Sequence, residues 1–245
     1  MKNIKKNHQE KYNLMFNQII FSSNIDRNSK VLVIGLIDNV LIKDLINRGY
    51  TNVYYSDKYE DNDYLPNKKN NEVFDMIEYD TLRNDNECSK YDLLIISTGY
   101  DVSKVDKEFN HVLKSLRSGG SLILLFSAYV KAYSPVWTDI RDLYKISLPN
   151  LFDGDVMSLS EQLKKLKLML NSREQLEDIK SHNYNWIEEY TLNEYCSLLE
   201  CSDYYKSMNI TNRLKLTASL NQTIDKNGGS LKKANHMTVV SCNKL

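Results

Sequence analysis

The sequence predicts an α/β chain built on a doubly wound, mostly parallel sheet, and three observations carry that expectation. Short apolar runs recur at KVLVIG (30–35), NVYYSD (52–57), YDLLIIS (91–97) and SLILLF (121–126). They alternate with amphipathic stretches of helical period, the rhythm that places helices between parallel strands. The first, third and fourth of these runs are apolar at nearly every position, as strands covered on both faces require.

Taken in order, residues 1–28 read as a helical lead-in. Tyr12, Met15, Phe16, Ile19 and Ile20 recur at helical spacing, so one face is apolar. Such a stripe suits a helix packed on the sheet and a lid over a ligand alike. Lys30–Gly35 is a central strand ending in glycine. Asp38 or Asn39 caps the next helix, with Leu41, Ile42, Leu45 and Ile46 along one side. Gly49 stands where a left-handed helix stop is wanted, and the second strand ends in Asp57. This βαβ crossover makes the expected fold Rossmann-like.

Lys58–Asn71 is polar and turn-rich, and Val73–Tyr79 is a weak third strand followed by Asp80. Tyr91–Ser97 is a strong fourth strand that leaves through Thr98, Gly99 and Tyr100. Val105–Leu116 places Phe109, Val112, Leu113 and Leu116 on one helix face and breaks at Arg117–Gly120 before the fifth strand. Beyond Ser134 the strand signal fades. Ser158–Leu170 reads as a helix capped by Ser158 or Ser160, with Leu159, Leu163, Leu166 and Leu170 along one side, and a further helix is expected over Ser172–Lys180. Residues 134–185 are therefore expected to form a helical insertion that caps the substrate. The α/β rhythm returns with a strand at Trp186–Leu192, helices at Asn193–Glu200 and Asn212–Lys226, a Gly228-Gly229 turn and a last strand at His236–Asn243. The expected core is 29–133 joined to 186–245.

Composition narrows the function. Lys+Arg and Asp+Glu both number 32, so the net charge is zero, which argues against broad capture of nucleic acid or an anionic membrane. A small-molecule substrate is expected. No stretch approaches the ~18 apolar residues of a membrane span, and the N-terminal residues lack the apolar run of a signal peptide, so the expected location is cytoplasmic. The four cysteines lack CxxC spacing and only four histidines are present, so neither a disulfide framework nor a metal site is expected. With only 8 glycines in the chain, each one that sits at a strand end is informative.

In a doubly wound sheet, ligands bind beyond the C-terminal strand ends where the strand order reverses. Those ends carry Gly35, Asp57, Asp80, Ser97-Thr98-Gly99 and Ser127-Ala128-Tyr129. Glycine lets backbone approach a ligand closely. An acid after the second strand can accept hydrogen bonds from ribose hydroxyls. An acid after the third can accept from an adenine amino group. The set outlines an adenosine-shaped site, although each acid taken alone also fits a turn or helix cap.

The succession VLVIG, YYSD, IEYDTL, YDLLIIS and LRSGGSLILL, with the tail WIEEYTLNEYCSLLECSDYY and the closing strand MTVVSCNK, resembles the class I S-adenosylmethionine-dependent methyltransferases. LRSGG stands where that family shows a Leu-x-Pro-Gly-Gly turn. The resemblance covers roughly residues 10–133 and 186–245. It implies a seven-stranded sheet with an antiparallel last strand and S-adenosylmethionine as cofactor. It also places Gly35 beside the methionine part and Asp57 on the ribose, with Lys58 and Tyr59 near the adenine. Asp80 and Thr81 would meet the adenine edge, and Ser97 and Thr98 would line the other side. The reaction implied is methyl transfer to an O, N or C nucleophile.

The chain departs from the family's first loop. Val33 stands where an acid is usual, and Ile37 and Asn39 replace the second and third glycines. Those departures motivate the alternative of a catalytically degenerate Rossmann-like subunit that binds a partner protein. A single glycine also speaks against dinucleotides, whose pyrophosphate needs a glycine-rich approach to the helix N-terminus. On the substrate side, Tyr100, Tyr129, Tyr133 and Trp137 follow the fourth and fifth strands and can either clasp a substrate or pack the insertion. His111, Asp101, His182 and Tyr184 are candidate proton acceptors by residue type or place, and the sequence singles out none of them as catalytic. A homodimer is compatible with the sequence.

Overall fold

The computed structural model describes residues 2–35, 39–56, 75–76, 88–97, 109–110, 112–129, 135–147, 159–200 and 203–245. The elements are α1 (Lys2–Ser23), β1 (Lys30–Ile34), α2 (Asn39–Asn47), β2 (Asn52–Ser56), β3 (Asp75–Met76), β4 (Tyr91–Ser97) and β5 (Leu116–Tyr129). They continue with α3 (Pro135–Ser147), α4 (Leu159–Asn171), β6 (Leu176–Tyr190), α5 (Leu192–Glu200), α6 (Asp203–Ser207), α7 (Ile210–Lys226) and β7 (Leu231–Lys244). Residues 109–110 and 112–115 are helical as well.

The strands form one sheet in the order β3-β2-β1-β4-β5-β7-β6. β1 pairs in parallel with β2 and with β4, and β4 pairs in parallel with β5. β7 runs the other way. Ser121, early in β5, donates to Asn243 near the end of β7, while Leu245 N–H donates to Gln175 just before β6. Thr238 then reaches Asn183, so β7 residues descend as β6 residues rise.

The apolar runs explain two of the cores. Alternate residues point to opposite faces of a strand. Leu32, Leu94, Leu122 and Leu124 enter one buried cluster with Leu166 and Leu170 of α4. Val31, Val33, Leu93, Ile95 and Ile123 enter another with Met15, Phe16 and Ile19 of α1 and with Leu41, Ile42 and Leu45 of α2. The stripe on α1 thus packs on the sheet at these three positions. α2 closes as its glycine predicts. Gly49 has φ +88, its N–H donates to Ile46, and Tyr50 N–H donates to Leu45, the paired bonds of a Schellman stop.

The described chain divides into two compact units. One comprises Gln9–Ala128, Leu159–Tyr184 and His236–Leu245 and holds both clusters above. The other comprises Met1–His8, Tyr129–Ser158 and Asn185–Asn235. Its core joins Trp137 and Ile140 of α3, Tyr195 of α5 and Leu216, Leu220 and Ile224 of α7.

Two local expectations are corrected. The helix expected over Ser172–Lys180 is a turn followed by strand, and the strand expected at Trp186 begins at Leu176 and runs to Tyr190. β6 lies last in the sheet order and only Leu176 along it is buried. An edge strand tolerates charges, and here Glu177, Asp178 and Lys180 obscure its apolar alternation. The RSGG segment is drawn into β5 as a bulge, because Tyr91 pairs with Leu116 while Leu93 pairs with Ser121. No helix among the described residues is long and apolar enough to cross a membrane.

Candidate functional site

The C-terminal ends of β1, β2 and β4 lie side by side, since Ile34 is in register with both Ser56 and Ile96. The chain leaves β1 for β2 on one side and reaches β4 on the other, so the sheet order reverses there. That reversal opens the crevice where doubly wound sheets hold ligands.

Gly35 stands at the opening. Its φ of +94° lies in the left-handed region, and its N–H donates to the Ser56 carbonyl at 3.1 Å. A Cβ at this position would lie 2.7 Å from the Ser97 carbonyl oxygen. Backbone sign and lack of space therefore both demand glycine, and two neighbouring strand ends close on it. Ser97 is partly buried. Ser56 is fully buried, and its hydroxyl has no hydrogen-bond partner among the described residues. Val33, in the place of the usual acid, is fully buried among Val31, Tyr55 and Ile95 and offers the crevice no polar group.

Of the residues expected at the site, the structure brings Gly35 and Ser97 together. Asp57, Lys58, Tyr59, Asp80, Thr81 and Thr98 lie outside the described residues, as do Tyr100, Tyr133, Asp38, Asp101 and His111. Tyr129 ends β5, and its side chain is likewise outside what is described. Trp137 is buried in the α3–α5–α7 core, edge-on to Tyr195 at 6.0 Å, with its indole N–H donated to the Lys232 carbonyl at 2.6 Å. His182 is exposed and bonds Gln18 of α1, and Tyr184 packs against the second sheet face.

Sequence reasoning missed a polar chain on β7. The Thr238 hydroxyl donates to Asn183 Oδ1 at 2.8 Å, so the His236 Nε2–H donates to Thr238 at 3.0 Å. His236 is buried, and that burial holds its pKa below the usual histidine value. The available signal was the spacing of His236 and Thr238, which puts both polar residues on one face of the strand. Ser56 was missed too. Its signal was a hydroxyl at the end of the second strand-forming run.

No family model matches the chain, and no curated protein sequence matches it. Solved structures do. The YcgJ protein of Bacillus subtilis aligns at TM-score 0.56 with 15% identity, covering 97% of this chain and 99% of that one. Phosphoethanolamine N-methyltransferase 2 of Haemonchus contortus, solved with S-adenosyl-L-methionine, aligns at TM-score 0.51 with 11% identity over 94% of this chain and 52% of that one. The chain has the class I methyltransferase fold. The fold alone does not select a reaction, because the [4+2]-cyclase SpnF aligns at TM-score 0.50 with 12% identity, covering 94% of this chain and 80% of that one.

Proposed function

We propose that this chain is an S-adenosylmethionine-dependent methyltransferase acting on an O, N or C nucleophile of a small molecule. The observation that carries the reading is Gly35, held at φ +94° against Ser97 at the point where the strand order reverses. A single obligatory glycine suits a ligand that bears no phosphate, whereas a dinucleotide calls for several. The described residues fit such a ligand in a second respect, since the buried Ser56 hydroxyl beside Gly35 is still without a partner.

When bound, S-adenosylmethionine supplies a methyl group made electrophilic by its sulfonium. In this reading, Gly35 admits the methionine end and Asp57 accepts from the ribose hydroxyls. Lys58, Tyr59, Asp80 and Thr81 surround the adenine, and Ser97 and Thr98 hold the opposite side. On the acceptor side this reading retains Tyr100, whereas Trp137 is committed to the α3–α5–α7 core by its ring contacts and its indole N–H. The chain's main task is to align nucleophile and methyl carbon, for which proximity alone supplies a large part of the rate. The zero net charge supports a small acceptor over a polyanion.

Calorimetry with S-adenosylmethionine and S-adenosylhomocysteine tests the proposal. Both should bind, and Asp57→Ala should weaken them by roughly 1–3 kcal/mol through lost hydrogen bonds. An unchanged affinity in Asp57→Ala would move the ribose site elsewhere. Absence of heat at millimolar ligand would overturn the reading and leave the partner-binding alternative.

A further inference from the structure

β6 is last in the sheet order, so one of its two edges carries no strand among the described residues. It is also long. At ~3.4 Å each, its 15 residues span roughly 50 Å, where an ordinary strand spans about 20 Å. An edge of that length presents a row of backbone N–H and C=O groups to any chain that can align with it, and proteins blunt such edges with charge, proline or bulges. On β6 the regular strand is interrupted at Asp178, whose φ of +55° is left-handed. Beyond it, residues 179–187 hold no proline and a single charged side chain, Lys180. Lys180 is exposed and has no ion-pair partner among the described residues, and Ile187 is 66% exposed.

The sequence of this edge is complementary to itself. Two copies related by a two-fold axis perpendicular to the sheet pair antiparallel. Residues opposite one another then share a face, so even positions meet even ones and odd positions meet odd ones. Centred on Tyr184, the pairing sets Lys180 of each copy opposite Glu188 of the other, His182 opposite Trp186 and Ser181 opposite Ile187. Centred on Asn183, it would set Asp178 opposite Glu188 and Glu177 opposite Glu189, and like charges directly opposite are destabilising. Centred on Asn185, it would leave Lys180 opposite Tyr190. The Glu188 carboxylate is held in place, accepting from the Trp186 indole at 3.1 Å, from Asn235 at 2.8 Å and from the Tyr190 hydroxyl. Lys233, which also feels this charge, belongs to β7 on the inner side of β6.

We propose that the open edge of β6 is a homodimer interface, where a second copy of the chain adds its own β6 antiparallel in the register centred on Tyr184. Self-complementary charge selects a second copy over an unrelated strand. The surface uses no cofactor-side residue and stands apart from the methyltransferase reading.

Analytical ultracentrifugation of the full chain at micromolar concentration should show a dimer. Lys180→Glu should raise its dissociation constant at least about tenfold, because two symmetry-related attractions become repulsions, with an unchanged circular dichroism spectrum. The double variant Ser181→Cys/Ile187→Cys reads the register directly. On oxidation it should give a disulfide-linked dimer on a non-reducing gel, which the wild type and each single variant should not. A monomeric wild type would overturn the proposal. A dimer that Lys180→Glu leaves intact would overturn it too, by placing the interface elsewhere. A dimer in which the paired cysteines fail to link would refute the register.

Discussion

Gly35 and Gly228 share a left-handed backbone but differ in surroundings, which separates two costs of placing a side chain there. Gly228 has φ +100° and nothing within 4 Å of an added Cβ, whereas at Gly35 that atom would lie 2.7 Å from the Ser97 carbonyl. Gly228→Ala should therefore cost only the backbone term, about 1–2 kcal/mol. Gly35→Ala adds a clash with main chain that cannot swing away, and it should melt at least about 3 °C below Gly228→Ala. Parallel thermal melts of the two variants check this, and equal melting temperatures would mean that the strand ends give way easily. That Gly35 ends a strand is legible in KVLVIG, but its contact with Ser97 joins residues 62 positions apart in the chain, which no local pattern reports. Ser56 was harder still, because its environment is set by two other strands.

Among the elements, β1, β4 and β5 are tied at their N-terminal edge by one carboxylate. Asp92 accepts from Lys30 N–H at 2.7 Å and from the Arg117 guanidinium. Burial pushes the Asp92 pKa up, but Arg117 and the Lys30 N–H outweigh it and hold the carboxyl below its ordinary value. The folded pKa is thus depressed relative to the unfolded one. Its stabilisation is fully present above the ordinary carboxylate value of about 4 and is lost as pH falls through the lower folded value. Melting temperatures measured across that acid range should fall less steeply in Asp92→Asn than in the wild type. Identical slopes would assign acid sensitivity to other groups. Strong elements such as β1, β4, α4 and α7 were legible because their apolar periodicity follows directly from burial on one or both faces. β6 was not. As the edge strand it buries little, so its sequence carries solvent's preferences rather than the core's.

At the scale of the molecule, the described cores fall in separate units, and Gly35, Ser56 and Ser97, at the strand ends where the sheet order reverses, all belong to the unit with the two sheet-face clusters. The sequence showed where strands and helices alternate, but not which of them share a core, because that depends on pairings between segments far apart in the chain. Membership has a testable consequence. Leu220 of α7 is fully buried in the other unit's core, so Leu220→Ala should remove about 2–5 kcal/mol there through transfer and cavity terms. Leu94 of β4 is equally buried but lies between Leu32 and Leu122, on strands that lead to the crevice. Both variants should melt lower than the wild type. Only Leu94→Ala should also weaken S-adenosylhomocysteine in calorimetry at a temperature where each variant is folded, since its cavity loosens the strand ends around Gly35. Leu220→Ala should bind within about twofold of the wild type, because Leu220 shares no packed cluster with the strands that carry Gly35 and Ser97. Equal weakening in the two variants would show that the cofactor site depends on both cores, and the division into units would then describe packing without describing function.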